Sequence, residues 1–291
     1  DQLHRHPDID RWWLVVDESM EVGNAFGGAI YLAIEPGSTL GTFQATLSNV
    51  VEAPTYVHGD TDVQDWLDFA RHSPAPWAEI ASDQFILSVP SHEIRDLDDP
   101  DDLMDWWDQA LSMEHELYGF LPWPRVERAV FDAQISAGWM HSGYPFMAHD
   151  LSVPGVVNVT HNHQWMPSTL PGTTETGCNF ASVHLMEDLV GISGHGAISP
   201  EQRDSRTRSY FENGANISDW SVWVALETFL MVKEEWSWSA ITTALSIYYD
   251  LPASEVPYTG EEKFNSWVLH LSNSTGTVSY THLRAHETAS D

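Results

Sequence analysis

The period of the hydrophobic pattern changes once along this chain, and that change limits the fold more than any other feature. Up to about residue 95 the apolar residues gather in strand-sized runs at 12–16 (Trp12, Trp13, Leu14, Val15, Val16), 29–34 and 85–89. Turn signals separate them: Gly27-Gly28, Pro36-Gly37 and Pro74-Ala75-Pro76. One helix is expected among them at 62–69, where Val63, Trp66, Leu67 and Phe69 fall at near-helical spacing. Residues 96–102 form an acidic, proline-containing hinge. Its later part is helix-start chemistry, because acids suit the first turn and proline suits the first helical position. Beyond it Leu103, Met104, Trp107, Leu111 and Leu117 share one helix face. Further helices are expected at 174–190, 200–212, 220–231 and 236–249, with short strands near 127–132 and 153–160. The expected fold is α+β, a β-rich N-terminal region over 1–98 followed by a mainly helical region over 99–276.

Composition narrows the function. The 291 residues are enough for a large core and two packed subdomains. Forty-three acidic residues stand against 12 Lys and Arg, a net charge of −31 that repels nucleic acid and anionic membranes. No apolar run approaches the ~18 residues of a membrane-spanning helix, so no membrane insertion is expected. The single cysteine, Cys178, excludes an internal disulfide. Sequons at Asn158, Asn216 and Asn273 matter only in a secreted chain. The last stretch, residues 277–291, reads as an adapter-derived tail and is set apart from the fold, which removes His282 and His286 as candidate ligands.

The chemistry concentrates around Thr160-His161-Asn162-His163-Gln164-Trp165. A thermolysin-like zinc peptidase carries H-E-x-x-H on a helix: the two His bind the metal and the Glu activates its water. If His161 is the second His, positions 157 and 158 should be His and Glu; the chain has Val157 and Asn158. Asn158, at the general-base position, cannot act as a base, and loss of that function typically costs ~10²–10⁴ in rate. His163 cannot replace the lost ligand on a regular helix, where i and i+2 face different sides, but could in an extended segment. His115-Glu116-Leu117-Tyr118-Gly119 begins like the motif and ends in Gly, so it reads as a solvent-facing pair at a helix end. His141 and Tyr144 are candidates for lining a cleft and donating to an oxyanion. The competing reading is a packed turn set by Gly143 and Pro145. Eight of the 14 Trp form close pairs (12/13, 106/107, 220/223 and 236/238), suited to stacking on sugar rings or, more often, to a core.

Several consecutive segments resemble the enhancin-like zinc metallopeptidases, gluzincins known from mucin-degrading proteins. They are Phe26-Gly27-Gly28-Ala29-Ile30-Tyr31, Ala53-Pro54-Thr55-Tyr56, Ala75-Pro76-Trp77-Ala78-Glu79, Val89-Pro90-Ser91, the run from Phe131 to Pro145, His161-Asn162-His163-Gln164-Trp165, and the run from Gly172 to Asn179. They occur in family order over residues 12–276. The resemblance implies a zincin-like helical region, an accessory β-rich region, a zinc cofactor, and hydrolysis of peptide bonds in protein or glycoprotein substrates, with an extracellular or cell-surface setting favoured. Relatives typically read His-Glu-Leu-Gly-His-Asn-His-Gln where this chain has Val157 to Gln164. The second ligand therefore carries over to His161 and the third to Glu175, with His163 possible and the first His and the Glu missing. The link from Pro145 to His161 is also short, which keeps a deletion open beside true substitution. Asn179, one turn from Glu175, could orient it, whereas His184 reads as a packing or surface residue. Two functions stand side by side: a zinc peptidase, and a non-catalytic relative that binds a glycoprotein or protein partner through the retained cleft.

Overall fold

The computed structural model describes residues 11–25, 27–35, 37–39, 41–119, 125–133, 135, 138, 140–149, 167–192, 199–220 and 222–277. The chain divides into two compact units, one of residues 1–104 and 127–153, the other of residues 105–126 and 154–291.

The first unit is built on a six-stranded mixed sheet, ordered β1-β2-β3-β4-β6-β5. Its strands are β1 (Thr55–Val57), β2 (Trp77–Ala81), β3 (Phe85–Pro90), β4 (Glu127–Phe131), β5 (Met140–His141) and β6 (Phe146–Ala148). β2/β3 and β5/β6 are antiparallel and the other pairs parallel. Alternation along each strand sends Ala78, Ile80, Phe85, Leu87, Ala129, Phe131, Phe146 and Ala148 to one buried face. There the Phe146 ring packs 6.0 Å from Phe85 and 6.4 Å from Phe131. Helix α1 (Val63–Asp68) starts where expected, because the Asp62 carboxylate accepts from the backbone N–H groups of Gln64 and Asp65. It buries Trp66, whose indole donates to the Leu97 carbonyl at 2.9 Å and meets Tyr56 edge-on at 5.7 Å.

The other face of the sheet carries a polar network. Glu79 and Ser88 are cross-strand partners, and the Arg128 guanidinium donates to Ser88 at 2.7 Å, bonds Glu79 and lies over the Tyr31 ring. Burial, then the hydrogen bond to Glu79, pushes the Tyr31 phenol up to about 12.

Two expected strands are not there: the runs 12–16 and 29–34 carry no strand, and the residues of both are exposed. Their apolar content was read correctly, but a strand needs a neighbour for its ladder, and none pairs with them among the described residues. The run at 85–89 became β3, and the strand expected near 127–132 is β4. The strand expected at 153–160 lies outside the described residues.

The second unit is helical. α2 (Pro100–Tyr118) begins in the first unit and continues into this one, burying Met104, Trp107, Leu111 and Leu117 as the spacing predicts. α3 (Thr174–Asp188), α4 (Pro200–Glu212), α5 (Val222–Tyr249) and α6 (Gly260–Thr275) follow. Ser199 and Thr259 each close a capping box, which fixes the starts of α4 and α6. The core joins Leu117, Leu170, Phe180, Val183, Leu226, Leu230, Ile241, Leu245, Tyr248 and Trp267.

The two helices expected at 220–231 and 236–249 are both present: α5 is two helices joined across a kink at Ser237, which has φ 73° and ψ 169°. That region suits only glycine. Ser237→Gly should therefore raise stability by about 1–2 kcal/mol, read as a higher denaturation midpoint at unchanged m-value.

Candidate functional site

The residues singled out from the sequence separate into three groups. His161, His163 and Asn158 lie outside the described residues, and so does Val157. His141 and Tyr144 belong to the first unit, and Glu175 belongs to the second.

His141 ends β5 and its Nδ1 lies 3.1 Å from the Ser142 carbonyl. Tyr144 is half-exposed in the turn to β6, where Gly143 takes φ 135° and the Tyr144–Pro145 bond is cis. The turn geometry expected of Gly143 and Pro145 is present. Against the lowering effect of burial, Glu79, then Tyr31 and Tyr144, raise the Arg128 guanidinium pKa.

Glu175 stands exposed in the first turn of α3, where a carboxylate is favoured by the helix dipole. The helix itself supplies two of its neighbours. The Cys178 thiol donates to the Glu175 carbonyl at 3.1 Å and lies 4.0 Å from its Oε2. Burial, then the charge of Glu175, pushes that thiol up to about 12, so it stays protonated at neutral pH. The Asn179 amide donates to the same carbonyl at 2.7 Å, so the orienting role expected of Asn179 falls on the main chain and not on the carboxylate.

Of the two readings of His184, packing and surface, the structure has the first: it is 5% exposed, with its ring 4.5 Å from that of Trp238 and Nε2 3.2 Å from Asp188. His115 corrects its expectation: the imidazole is buried and only Glu116 faces solvent. Position 115 falls on the inner face of α2, between Leu111 and Tyr118, and the motif-like spelling concealed that periodicity.

Burial lowers the pKa of His115, His184 and His270, all in the second unit. A depressed histidine contributes stability that is complete above the unfolded value near 6.5 and is lost as pH falls through and below it. The melting temperature should therefore drop between pH 7.5 and pH 5.5, and His184→Gln should shrink that drop; an equal drop in the variant would refute the assignment.

A concavity of about 730 Å³ opens at the break in α5, lined by Glu187, Lys233, Trp236 and Trp238 among others. Sequence reasoning named the Trp pair but not the pocket, because the Ser237 break that opens it has no glycine to announce it. Glu187 anchors one wall, accepting from Lys233 at 2.7 Å and from the Trp238 indole at 2.8 Å. Of the paired tryptophans, Trp107 is core, while Trp12, Trp13, Trp223 and Trp236 are exposed.

No group of three His, Cys, Asp or Glu among the described residues could hold a metal ion. The donor set in the sequence is also short, with Val157 and Asn158 where a zinc His and a base would stand. A catalytic zinc needs three protein ligands and an open position, and of the expected donors only Glu175 lies among the described residues.

Comparison with known proteins places the chain. It is 38% identical over 269 residues to the TRPM8 channel-associated factor 2 of Bos taurus, covering 85% of this chain and 29% of that protein. It is 36% identical over 285 residues to the TRPM8 channel-associated factor homolog of Danio rerio, covering 90% of this chain and 31% of that one. The chain thus spans less than a third of the length of these relatives. In fold it is similar to a conserved Bacillus anthracis protein of unknown function, at TM-score 0.67 and 16% identity, over 77% of this chain and 51% of that one. It is similar likewise to the ZmpB metallopeptidase of Clostridium perfringens, at TM-score 0.54 and 11% identity, over 76% and 50%. Those identities speak for the fold alone. The sequence profile of peptidase M60, enhancin and enhancin-like proteins matches residues 49–277. With that match running through both units, from before β1 to the end of α6, the chain belongs to the peptidase M60, enhancin and enhancin-like family.

Proposed function

We propose that this chain is a catalytically silent M60 domain that serves a protein or glycoprotein partner. One observation carries the reading: Val157 and Asn158 occupy the positions of the first zinc His and the general-base Glu. Without them the metal keeps at most two or three weak donors, and no side chain at the base position can take the proton of an attacking water. His161 and Glu175, with His163, are the remnant of the ligand set on this reading, and His141 and Tyr144 are cleft residues. On this reading the zincin-like region is 99–276, mainly helical but contributing the strands of 127–148 to the sheet of the first unit, the accessory region is 1–98, and 277–291 is not part of the domain.

The curated relatives support a partner role, because their name makes them factors associated with a channel, TRPM8. The partner proposed here is of that class, a protein and not a nucleic acid, given a net charge of −31. No helix among the described residues is long and apolar enough to cross a membrane.

The test is zinc content together with hydrolysis. Metal analysis of the purified chain should give well under one zinc per molecule, and a mucin-type glycoprotein should remain uncut with or without EDTA. Stoichiometric zinc with EDTA-sensitive cleavage would replace this reading with that of an active zinc peptidase.

A further inference from the structure

Helix α4 is held to the second unit chiefly through its arginines. None of its residues is buried, whereas α5 beside it buries Leu226, Glu227 and Leu230. Arg203 donates to Glu227 at 2.7 Å and pairs with Glu234 at 2.8 Å. Arg206 lies over the Trp223 ring, 5.1 Å from its centroid. Its hold on Glu227 is looser. Arg206 Nη1 and Glu227 Oε1 are 3.9 Å apart, both atoms are buried, and neither makes a hydrogen bond. A helix with so little apolar burial belongs to the low-stability end of a fold and opens locally.

The sequence of α4 is also the exception in an acidic chain. Three of the 12 Lys and Arg, namely Arg203, Arg206 and Arg208, fall within six residues. Ser209 follows them, in the run Arg206-Thr207-Arg208-Ser209-Tyr210-Phe211. No other serine or threonine of the 291 residues has an arginine three positions before it. Ser209 is exposed in the last turn of α4, and the Asn213 side chain bonds its carbonyl and not its hydroxyl. Ser266 has Lys263 at the same spacing, but its hydroxyl is taken up by His270 at 3.0 Å.

Protein kinases that choose basic substrates read such charges with carboxylates and take the substrate in an extended form. Helix α4 meets both demands, with arginines on the N-terminal side of an exposed serine in a helix that opens locally. We propose that Ser209 is a phosphorylation site for a serine/threonine kinase of basic specificity, and that the phosphate loosens α4 from α5. The Ser209 Oγ attacks the γ-phosphorus of a nucleoside triphosphate, and the bond from that phosphorus to the bridging oxygen breaks. The nucleoside diphosphate leaves, and the hydroxyl proton passes to the kinase's base. The product carries about −1.5 to −2 charge at neutral pH. That charge sits at a helix C-terminus, where the dipole disfavours an anion, and one turn from Glu212. Arg206 lies one turn before it, so the phosphate competes with Glu227 for a guanidinium that Glu227 holds loosely. The proposal is independent of whether the peptidase site is silent.

The test incubates the purified 291-residue chain with ATP and the catalytic subunit of the cyclic-AMP-dependent protein kinase, and maps the phosphate by peptide mass. Phosphate at Ser209, absent from a Ser209→Ala chain, is the expected result. Hydrogen exchange of the α4 amides should then be about 3- to 30-fold faster in the modified chain, with the α6 amides unchanged. A synthetic peptide of residues 203–213 reports whether the kinase reads the sequence at all. Four results overturn the proposal. Phosphorylation of the peptide but not of the chain would show that α4 stays closed. Modification of neither would remove the sequence signal, and phosphate on Ser205 or Thr207 instead would take the site from Ser209. Phosphate at Ser209 with unchanged α4 exchange would refute the loosening.

Discussion

Alanine at position 119 should lower the melting temperature by about 5–15 °C, the larger of the two effects expected on stability. Gly119 ends α2 at φ 70°, a left-handed conformation that costs a residue with a Cβ roughly 1 kcal/mol. The second cost is steric. A Cβ there would lie 2.5 Å from both Cα and Cβ of Ser246 on α5, so backbone would have to move and no flexible side chain could yield. Overpacking of that kind costs about 1–3 kcal/mol, which brings the sum to about 2–4 kcal/mol. The Ser246→Gly background separates the two costs, because it removes one of the two clashing atoms and leaves the φ penalty. A melting temperature for Gly119→Ala within a degree or two of the parent would show that the close approach of α2 and α5 is absent in solution.

The second large effect concerns chemistry. Val157→His with Asn158→Glu completes the H-E-x-x-H spelling that ends at His161. On the reading of a silent domain, the parent holds little zinc and the double variant approaches one zinc per chain. The general base alone should separate the single variant Val157→His from the double variant by about 10²–10⁴ in peptidase rate. Zinc uptake by the double variant without hydrolysis would mean that the cleft, and not merely the motif, has been lost. An unchanged zinc content would show that His161 and Glu175 are not the surviving ligands. Circular dichroism of each variant distinguishes these outcomes from misfolding.

The parts of this fold legible in the sequence are those whose signals are local. Helix α4 spans 200–212 as expected, because Ser199, Pro200 and Gln202 spell its start, and the inner face of α2 follows from the spacing of Met104, Trp107 and Leu111. What depends on partners distant in sequence was not legible. Residues 12–16 and 29–34 have strand composition but no ladder among the described residues. Three strands of the sheet come from 127–148, a pairing that β3 and β4 achieve across a whole helix. Helix α6 was missed although two local signals mark it, its Thr259/Glu262 box and the i, i+3, i+4, i+7 spacing of Phe264, Trp267, Val268 and Leu271. At the site, Glu175 could be placed at a helix start, whereas the thiol beside it and the use of Asn179 by the backbone depend on the turn geometry of α3.

Among the described residues the cations are largely occupied within the protein. Arg71 holds Asp98, Arg128 holds Glu79, Arg203 holds Glu227 and Glu234, Lys233 holds Glu187, and Arg206 lies over Trp223. Each ion pair neutralises a carboxylate on the spot, and most of the other described acids, the buried Glu114 and Glu127 apart, lie at the surface with few positive charges between them. To an approaching molecule the protein is therefore close to a single-sign polyanion. Its encounters are governed by the Debye length, about 8 Å at physiological salt, so the rate at which a basic partner arrives would be set by ionic strength well before any groove is reached.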